Sequence, residues 1–307
     1  MFIAGIVLYN PNIKRLVQNI KSVSNQVEKI ILYNNGINEH DLGLLKQEIS
    51  DNIIMLGNGE NYGISFALNR IMEFAKSKGA DWVITLDQDS ICAPNMVEEY
   101  EKKINQSDVA IICPHIIDKN RLYTLENVDS SKDYYVKKCI TSASCTRIEA
   151  WEDVEQFDEF LFIDLVDNDF CKRLILKQWK ILKTNSVVLD QSFGETKLKS
   201  GFKVKFYMRL SGLVKNKNLS INIAKLSYKK KVSPLRVYYT NRNVLYLNKK
   251  FKNYGGIGYE SYRCKSYFGF MIAFNLASLV RGKHKVKILS SIFNGIKDGL
   301  KSSPEKV

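Results

Sequence analysis

Two aspartates separated by one residue, Asp87 and Asp89, are the clearest candidates for chemistry in this sequence. They follow Asp81–Leu86, a short apolar run that is typical of a buried strand, so both carboxylates should lie at the end of that strand. Two carboxylates this close repel each other unless a divalent cation lies between them and an anionic ligand. The alternative is a solvated turn with two capping aspartates, because Asp-x-Asp occurs often by chance.

A second acidic cluster lies further along the chain, where Asp164, Asp167 and Asp169 surround the start of a predicted helix. If this helix begins near residue 165, Asp164 and Asp167 lie one turn apart on the same side. A carboxylate there could remove a hydroxyl proton as a general base, and a helix-terminus role is the equally supported alternative. Asp169 and Arg173 are four residues apart, which favours a structural ion pair.

The loop Gly57–Gly63 comes directly before the clearest predicted helix, which starts at Ile64 and ends at Gly79. Its backbone amides, together with Asn61 and Gly63, could contact phosphate groups. The alternative for Asn61 is a local role as the cap of this helix. The glycine spacing matches neither a dinucleotide-binding loop nor a P-loop, so the sequence supports neither of those classes.

Other chemistries have no support in the residue patterns. The sequence contains no Gly-x-Ser-x-Gly elbow, its three histidines are scattered, and its cysteines and histidines lack zinc-site spacing. The six cysteines mostly lie within apolar runs and show no Cys-x-x-Cys spacing, so we expect reduced, buried thiols.

The elements that must position these residues alternate between strands and helices. Helices are predicted at Ile13–Val23, from Ile64 and at Ile148–Gln156. Pro94 is predicted to be the first residue of another helix. Strands are predicted at Phe2–Tyr9, Lys29–Tyr33, Asn52–Leu56, Asp81–Leu86, Val109–Cys113 and Lys180–Leu189. This alternation predicts an α/β fold with a mostly parallel sheet flanked by helices. Ligands bind at the carboxyl ends of such strands, where Asn10-Pro11, Asn34-Asn35-Gly36 and Asp87-Gln88-Asp89 are expected to meet.

Charge divides the chain into two parts. Residues 201–307 contain 23 Lys and Arg against 3 Asp and Glu, a net charge of +20, which leaves −6 for residues 1–200 of the total +14. We therefore predict a catalytic domain at 1–197 and a basic, mainly helical segment at 198–307. Within that segment, the apolar run Tyr267–Val280 precedes the cationic run Arg281–Lys287, so the segment could lie on an anionic membrane surface. The alternatives are packing on the catalytic domain or contact with a second copy as a homodimer.

Location follows from the same features. The run Tyr267–Val280 is shorter than the roughly 20 residues that span a membrane, and Phe2–Tyr9 lacks the flanks of a secretory signal. A cytoplasmic protein is expected, with peripheral contact to the inner face of the cell membrane as an extension. The basic segment with interleaved tyrosines also raises a nucleic-acid-binding hypothesis. No binding motif accompanies it, so we expect no nucleic-acid partner.

Six ordered stretches together resemble the family 2 glycosyltransferases, specifically their bacterial rhamnosyltransferase-like branch. The resemblance covers roughly residues 1–250, and the segments around Asp87 and Asp167 are the most specific. The stretches are Ile6–Pro11, Asn61–Asn69, Asp81–Ser90, Ile140–Ser144, Phe162–Arg173 and Tyr238–Leu247.

The resemblance implies a GT-A fold, a nucleotide-sugar donor and inversion at the anomeric carbon. By position it implies a general base at Asp167, an acceptor contact at Asp164, and an Mg²⁺ or Mn²⁺ site at Asp87 and Asp89. The nucleotide-sugar contacts that it implies, with the loop and acidic-pair neighbours included, are Tyr9, Pro11, Asn34, Asn61, Gly63, Asp87, Gln88 and Asp89.

Two positions depart from the family pattern. Asn34 stands where the family usually has aspartate, and Gln191 stands where a metal-binding histidine is common. An amide oxygen suits Mg²⁺ better than transition metals, so Gln191 is the third candidate metal ligand. The expected function is transfer of L-rhamnose from dTDP-L-rhamnose to a glycan, free or linked to a lipid diphosphate, in surface polysaccharide synthesis. The alternatives are a UDP-hexose donor and a non-catalytic relative.

Overall fold

The computed structural model of the chain describes residues 1–48, 52–117, 132–190, 196–198, 201–215, 217–230, 232–255, 257–262, 264 and 266–304. These residues form two units, one within residues 1–117 and 127–191 and the other mainly within 192–307. The boundary that the charge distribution predicts, near residue 197, stays a prediction. Gln191, the third candidate metal ligand, lies outside the described residues.

An eight-stranded mixed sheet forms the centre of the first unit, in the order β3-β2-β1-β4-β7-β5-β8-β6. Six strands run parallel, whereas β7 is antiparallel to β4 and β5, and β6 is antiparallel to β8 at the edge. The predicted α/β class with a mostly parallel sheet is therefore confirmed. The strands are β1 (Phe2–Leu8), β2 (Lys29–Asn34), β3 (Ile53–Leu56), β4 (Trp82–Asp87), β5 (Val109–Ile117), β6 (Tyr134–Val136), β7 (Ser144–Arg147) and β8 (Lys180–Asp190).

The described residues of this unit form six helices: α1 (Ile13–Val23), α2 (Glu39–Glu48), α3 (Ile64–Ser77), α4 (Met96–Glu101), α5 (Ile148–Asp153) and α6 (Val166–Leu176). The bounds of α1 agree with the prediction because local residues determine both its first residue and its buried face. The side chain of Asn12 caps it by accepting the Arg15 N–H at 3.0 Å, and its apolar residues recur at helical spacing.

The prediction that Pro94 opens a helix is wrong. Helix α4 starts two residues later, and Pro94 lies in a turn whose Met96 N–H donates to the carbonyl oxygen of Ala93 at 3.2 Å. A proline fits the first turn of a helix, but it fits a β-turn equally well, and the local pattern does not distinguish the two.

Strand β1 shows why the strands of this sheet have continuous apolar sequences. All seven of its residues are buried, because it lies between β2 and β4 with both faces covered. Gly5 in its middle leaves room for the side chain of Ile71 on α3, where a methyl group would collide. This close packing fixes α3, and with it the loop that enters α3, against the centre of the sheet.

The second unit is mainly helical, with one short antiparallel pair formed by β9 (Thr196–Leu198) and β10 (Tyr228–Lys230). Its longest helices, α9 (Pro234–Lys250) and α12 (Lys285–Lys301), approach closely because Gly295 and Gly299 of α12 face the backbone of α9. The others are α7 (Gly201–Gly212), α8 (Lys217–Ala224), α10 (Tyr267–Phe270), a π-helical turn (Met271–Leu276) and α11 (Ala277–Arg281). Among the described residues, no helix has both the length and the hydrophobicity to cross a membrane.

Candidate active site

Three polar segments meet at the carboxyl edge of the sheet, as the strand prediction requires. In the register of the parallel strands, Leu8 of β1 lies beside Asn34 of β2, and Val7 of β1 lies beside Asp87 of β4. Tyr9, the residue after β1, therefore lies between the ends of β2 and β4.

The backbone of the acidic pair is held by buried hydrogen bonds. The main-chain oxygen of Asp87 accepts from the side-chain amide of Asn19 at 2.6 Å, and its N–H donates to the Ser142 hydroxyl at 3.2 Å. That hydroxyl also lies 2.7 Å from the hydroxyl of Ser90, which follows the pair. These contacts are made by the backbone of Asp87 and by its neighbours. They hold the turn in one conformation and so fix the position from which the Asp87 side chain extends.

The carboxyl group of Asp89 is half-buried at the same sheet edge. Burial raises the pKa of its carboxyl group, while its own backbone N–H and the Arg15 guanidinium act in the opposite direction. The Nε of Arg15 also donates to the main-chain oxygen of Asp89 at 2.8 Å. A half-buried carboxylate of this kind favours a cationic ligand.

Arg15 is a site residue that the sequence prediction missed. Its position on α1, a few residues after the end of β1, places a fixed cation at the same sheet edge as Asp89. The signal was available, because a basic residue in the first turns of a helix that follows a parallel strand faces the ligand edge.

Gln88, between the two aspartates, binds the backbone of Tyr9 twice. Its side-chain oxygen accepts the Tyr9 N–H at 2.9 Å and its nitrogen donates to the Tyr9 carbonyl oxygen at 3.0 Å. The ring of Tyr9 is half-exposed and lies against Gly36, where a Cβ would approach it to 2.8 Å. Pro11 of the same loop is buried. Gln88 thus joins the end of β1 to the end of β4.

Asn34 uses its side chain to shape the turn after β2. Its amide oxygen accepts the N–H groups of Gly36 and Ile37 at 3.2 Å and 3.0 Å, an Asx-type turn. The side-chain oxygen is therefore engaged by the chain itself, and the amide nitrogen lies toward Gly59. A ligand that contacts this side chain would meet a hydrogen-bond donor rather than the acceptor that an aspartate offers.

Asn61 does not cap α3, so that alternative is wrong. The N-cap residue is Gly63, without a side-chain capping bond. Instead, the Asn61 amide oxygen accepts the Gly63 N–H at 3.1 Å and the side chain of Asn35 at 3.0 Å. Asn35 in turn accepts the Tyr62 N–H at 3.0 Å, so two asparagines tie the loop to the end of β2. Asn35 was not among the predicted site residues.

Gly63 brings the loop against the segment that precedes α6. Its φ of +94° and its distance from Phe162, where a Cβ would lie 2.7 Å from the main-chain oxygen, both require glycine. The Ile64 N–H donates to that same oxygen at 2.7 Å. The amides of Gly63 and Ile64 are therefore used within the chain, and any phosphate contact by this loop falls to its other residues.

The second acidic cluster reaches the same edge. Asp164 and Leu165 both have left-handed backbone conformations with φ of +67°, and α6 begins at Val166. Asp164 thus lies outside the helix, which corrects the prediction that Asp164 and Asp167 share a helical turn. Two successive strained residues of this kind need surrounding structure to hold them and are common near functional sites.

Asp167 lies in the first turn of α6, close to the first acidic pair. The pKa of its carboxyl group is raised to about 6, chiefly by burial and also by the charges of Asp87 and Asp164, against backbone hydrogen bonds that lower it. Its Oδ1 accepts the N–H of Asn168 at 3.0 Å. The structure therefore brings Asp87, Asp164 and Asp167 within electrostatic reach of one another.

Asp169, one turn further, has a different role. Its carboxylate lies 2.8 Å from Nε and 2.7 Å from an Nη of Arg173, and both side chains are buried. Arg173 also donates to the main-chain oxygen of Val154. The predicted structural ion pair is confirmed.

The two carboxylates at the end of β4 fit the metal that the resemblance implies, although they form only part of a coordination shell. Among the described residues, no cluster of three or more His, Cys, Asp or Glu side chains could hold an ion alone. Mg²⁺ commonly takes one or two protein carboxylates and completes its shell with substrate phosphates and water. A bound cation would compensate the burial of the Asp89 carboxylate, and the guanidinium of Arg15 would suit the phosphate groups rather than the metal.

The strand order and direction of this sheet are those of a GT-A fold, and comparison with known structures agrees. GalNAc-T7 solved with UDP, GalNAc and Mn²⁺ has a TM-score of 0.55 at 14% identity, over 91% of this chain and 57% of that chain. The mannosyltransferase PcManGT from Pyrobaculum calidifontis, in complex with GDP-Man and Mn²⁺, has 0.54 at 10% identity, over 97% and 86%. These likenesses show the fold, and the predicted GT-A fold is confirmed.

Residues 4–143, just under half of the chain, match the glycosyl transferase family 2 model. The dTDP-rhamnosyl transferase RfbF of Shigella flexneri is 29% identical over 188 residues, which are 56% of this chain and 62% of that protein. The match thus spans under two thirds of that relative's length. The predicted relationship to family 2 and its rhamnosyltransferase-like branch is confirmed by these two findings.

Proposed function

We propose that the chain is an inverting glycosyltransferase that moves L-rhamnose from dTDP-L-rhamnose to a glycan acceptor in bacterial surface polysaccharide synthesis. The observation that carries the proposal is the approach of Asp167 to the acidic pair at the carboxyl edge of the sheet. Asp87 and Asp89 would bind the diphosphate of a donor through a metal ion. Asp167 would accept the proton of an acceptor hydroxyl. The choice of donor sugar rests on the relative from Shigella flexneri.

The proposed reaction is a single displacement. The acceptor hydroxyl oxygen attacks the anomeric carbon while the bond from that carbon to the diphosphate oxygen breaks, and the hydroxyl proton passes to a carboxylate oxygen of Asp167. A pKa of about 6 leaves this carboxyl group mostly ionised at neutral pH yet basic enough to accept a proton. Asp164, on its strained turn, is the proposed contact for the acceptor.

Asp87 and Asp89 would hold Mg²⁺ or Mn²⁺, which supplies neutralisation of the charge that builds on the departing nucleoside diphosphate. Arg15 adds a fixed positive charge at the same edge. Tyr9 and Pro11 would line the nucleotide pocket beside Asn34, and Gln88 holds the Tyr9 backbone for that purpose. Asn61 and Gly63 shape the neighbouring loop, and Gln191 is the proposed third metal contact.

The acceptor that we propose is a glycan linked to a lipid diphosphate, which places the enzyme in the cytoplasm at the inner face of the cell membrane. The net charge of +20 over residues 201–307 supports contact with an anionic surface.

A donor panel tests the proposal. The purified chain is incubated with dTDP-L-rhamnose, UDP-glucose, UDP-GalNAc and GDP-mannose, each with Mg²⁺ or Mn²⁺, and nucleoside diphosphate release is measured. We expect release from dTDP-L-rhamnose to exceed the others and to disappear with EDTA. If UDP release from a UDP-hexose exceeded dTDP release, the donor would be that UDP-hexose, and the proposed mechanism would be unchanged. The Asp167→Asn variant must lose transfer to a lipid-linked acceptor, and unchanged transfer would refute the base assignment.

A further inference from the structure

Helix α12 has a buried apolar side and a second apolar side that is exposed to solvent. One side, with Ile288, Ile292, Gly295 and Gly299, is buried and includes the glycines that approach α9. The other side is exposed to solvent. At 3.6 residues per turn its four residues fall within an arc of about 60°, whose centre lies about 120° around the helix from the centre of the buried side. They are Val286, Leu289, Phe293 and Leu300, which are 82%, 57%, 68% and 60% exposed.

Helix α7 repeats this arrangement. Phe202, Phe206 and Leu210 are 82%, 55% and 38% exposed and fall within an arc of about 80°, and Leu213, in the turn directly after the helix, is 75% exposed. Ser211 is the buried residue of this helix and lies on its other side. An exposed apolar row of this regularity has no role in the folding of its own helix.

A third row runs through the segment α10, π-helical turn and α11. Phe268, Ile272, Leu276 and Val280 follow one another every four residues and are 75%, 51%, 55% and 69% exposed. Their spacing exceeds one α-helical turn, so a continuous α-helix would rotate the row steadily. The wider π-helical turn in the middle reduces that rotation and keeps the row on one side.

Cations flank each of the three rows. Lys203 and Lys205 with Arg209 lie on either side of the α7 row, and the run Arg281–Lys287 follows the third row directly. Lys297 and Lys301 border the α12 row at adjacent positions of the helical wheel. An apolar row bordered by lysine and arginine is the pattern of a helix that lies in the plane of a membrane interface.

The charge distinguishes the two partners that would cover such rows. A second copy that bound through the same rows in a two-fold contact would bring two cationic borders together, within a segment of net charge +20. An anionic leaflet would neutralise those borders and accept the phenylalanine and leucine side chains at its acyl boundary. The observations therefore favour the lipid surface.

We propose that the exposed rows of α7, α12 and the α10–α11 segment form a membrane-binding surface for leaflets rich in anionic phospholipid. The inference rests on the proposed function in one respect, since a lipid-linked acceptor is what would make this contact useful. The binding itself needs neither donor nor acceptor, so it can be tested without activity.

Vesicle sedimentation tests the surface. The full chain is mixed with vesicles of phosphatidylcholine alone, or of phosphatidylcholine with phosphatidylglycerol, at low and high salt. We expect binding to the anionic vesicles only, weakened by salt. The paired variants Phe202→Ser/Phe206→Ser and Val286→Ser/Phe293→Ser should each weaken binding about tenfold or more, because partial burial of two large apolar side chains is lost. Leu44→Ser, at a half-exposed apolar position on α2, is the matched control and should bind like wild type.

Three results would overturn the proposal: no vesicle binding, equal binding to both kinds of vesicle, or unchanged binding by both paired variants. Concentration-dependent dimers that both pairs of substitutions disrupt, without vesicle binding, would assign the rows to a second copy. Steeply salt-dependent binding to an oligonucleotide in place of vesicles would assign the charge to nucleic acid. Donor turnover without vesicle binding refutes this surface alone, and vesicle binding without turnover of any donor refutes only the proposed function.

Discussion

The two units of this chain place their apolar and charged residues in opposite ways. In the first unit a central strand such as β1 is buried on both faces, and acidic side chains lie together at one sheet edge. There the charge of Asp87 contributes to the raised pKa of Asp167. In the second unit, helices such as α12 bury one narrow side and leave an equally apolar side in solvent, bordered by lysines. Clustered, partly buried carboxylates and an exposed apolar surface each favour a ligand that compensates them, and we propose a cation for the first unit and a lipid surface for the second.

The sharpest way to test the acidic half of this comparison is to remove the proposed base. Asp167→Asn should lower kcat for sugar transfer about thousandfold, because an amide cannot accept the acceptor proton. Steady-state kinetics with a lipid-linked acceptor measures this. Asp81→Asn is the matched control, since Asp81 lies exposed at the opposite end of β4 from Asp87. A fall in kcat with Asp81→Asn as large as that with Asp167→Asn would point to a general loss of structure.

A pair of glycines tests whether the second unit is held by close helix packing. Gly295→Ala should lower the free energy of unfolding by about 2 kcal/mol, because the new methyl group would collide with the main-chain oxygen of Tyr238 on α9. Gly43→Ala on α2 is the matched substitution in the first unit, where no atom lies within 4 Å of the new Cβ. It should raise stability by about 0.5 to 1 kcal/mol through helix propensity. Urea unfolding followed by circular dichroism measures both, and equal effects would contradict the packing account.

The raised pKa of Asp167 predicts a pH-dependent stability. A carboxyl group whose pKa rises from 3.8 in the unfolded chain to about 6 in the folded chain stabilises the fold at low pH, and this contribution is lost as pH rises through about 6. Asp167→Asn should therefore become more stable than wild type above pH 6, by about 1 to 2 kcal/mol in metal-free buffer. Thermal or urea unfolding between pH 4 and pH 7 measures the difference, which must shrink toward low pH. A difference that does not change with pH would show that the carboxyl group has an ordinary pKa.

The smallest expected effect concerns Gln88, whose two hydrogen bonds position Tyr9. Gln88→Ala should raise KM for the donor roughly tenfold with little change in kcat, because it removes two bonds from a positioning residue and none from the reacting groups. Gln88→Glu keeps the acceptor and loses the donor, so an intermediate KM is expected. Gln18→Ala, at an exposed position on α1, is the control. A fall in kcat without a change in KM would assign Gln88 to the chemistry instead.

Much of the fold could be predicted because its signals are local. The bounds of α1 follow from the cap at Asn12 and the helical spacing of buried residues, and the parallel strands follow from apolar runs that alternate with helices. Pro94 was predicted wrongly because proline suits both a helix start and a turn. Strand β7 was missed as an antiparallel element because its short polar sequence, Ser144–Arg147, carries no strand signal of its own.

The site was predictable only in part, for a related reason. The residues at strand ends could be named because parallel strands bring their carboxyl ends together. The contact of Gly63 with Phe162, the clamp of Gln88 on Tyr9 and the approach of Arg15 to Asp89 join residues that are far apart in sequence. No local pattern encodes such pairs. The left-handed turn at Asp164 and Leu165 also escaped prediction, because neither residue type favours that conformation enough to signal it.

The central claim is that the carboxylates at the end of β4 bind a nucleoside diphosphate through a shared divalent cation. Calorimetric titration of dTDP into the chain tests it most directly, with Mn²⁺ and with EDTA, for wild type, Asp89→Ala and Asp81→Asn. The account predicts binding that requires Mn²⁺, that Asp81→Asn retains, and that Asp89→Ala weakens about a hundredfold. Equal affinity with and without the metal, or an Asp89→Ala variant that binds like wild type, would contradict it.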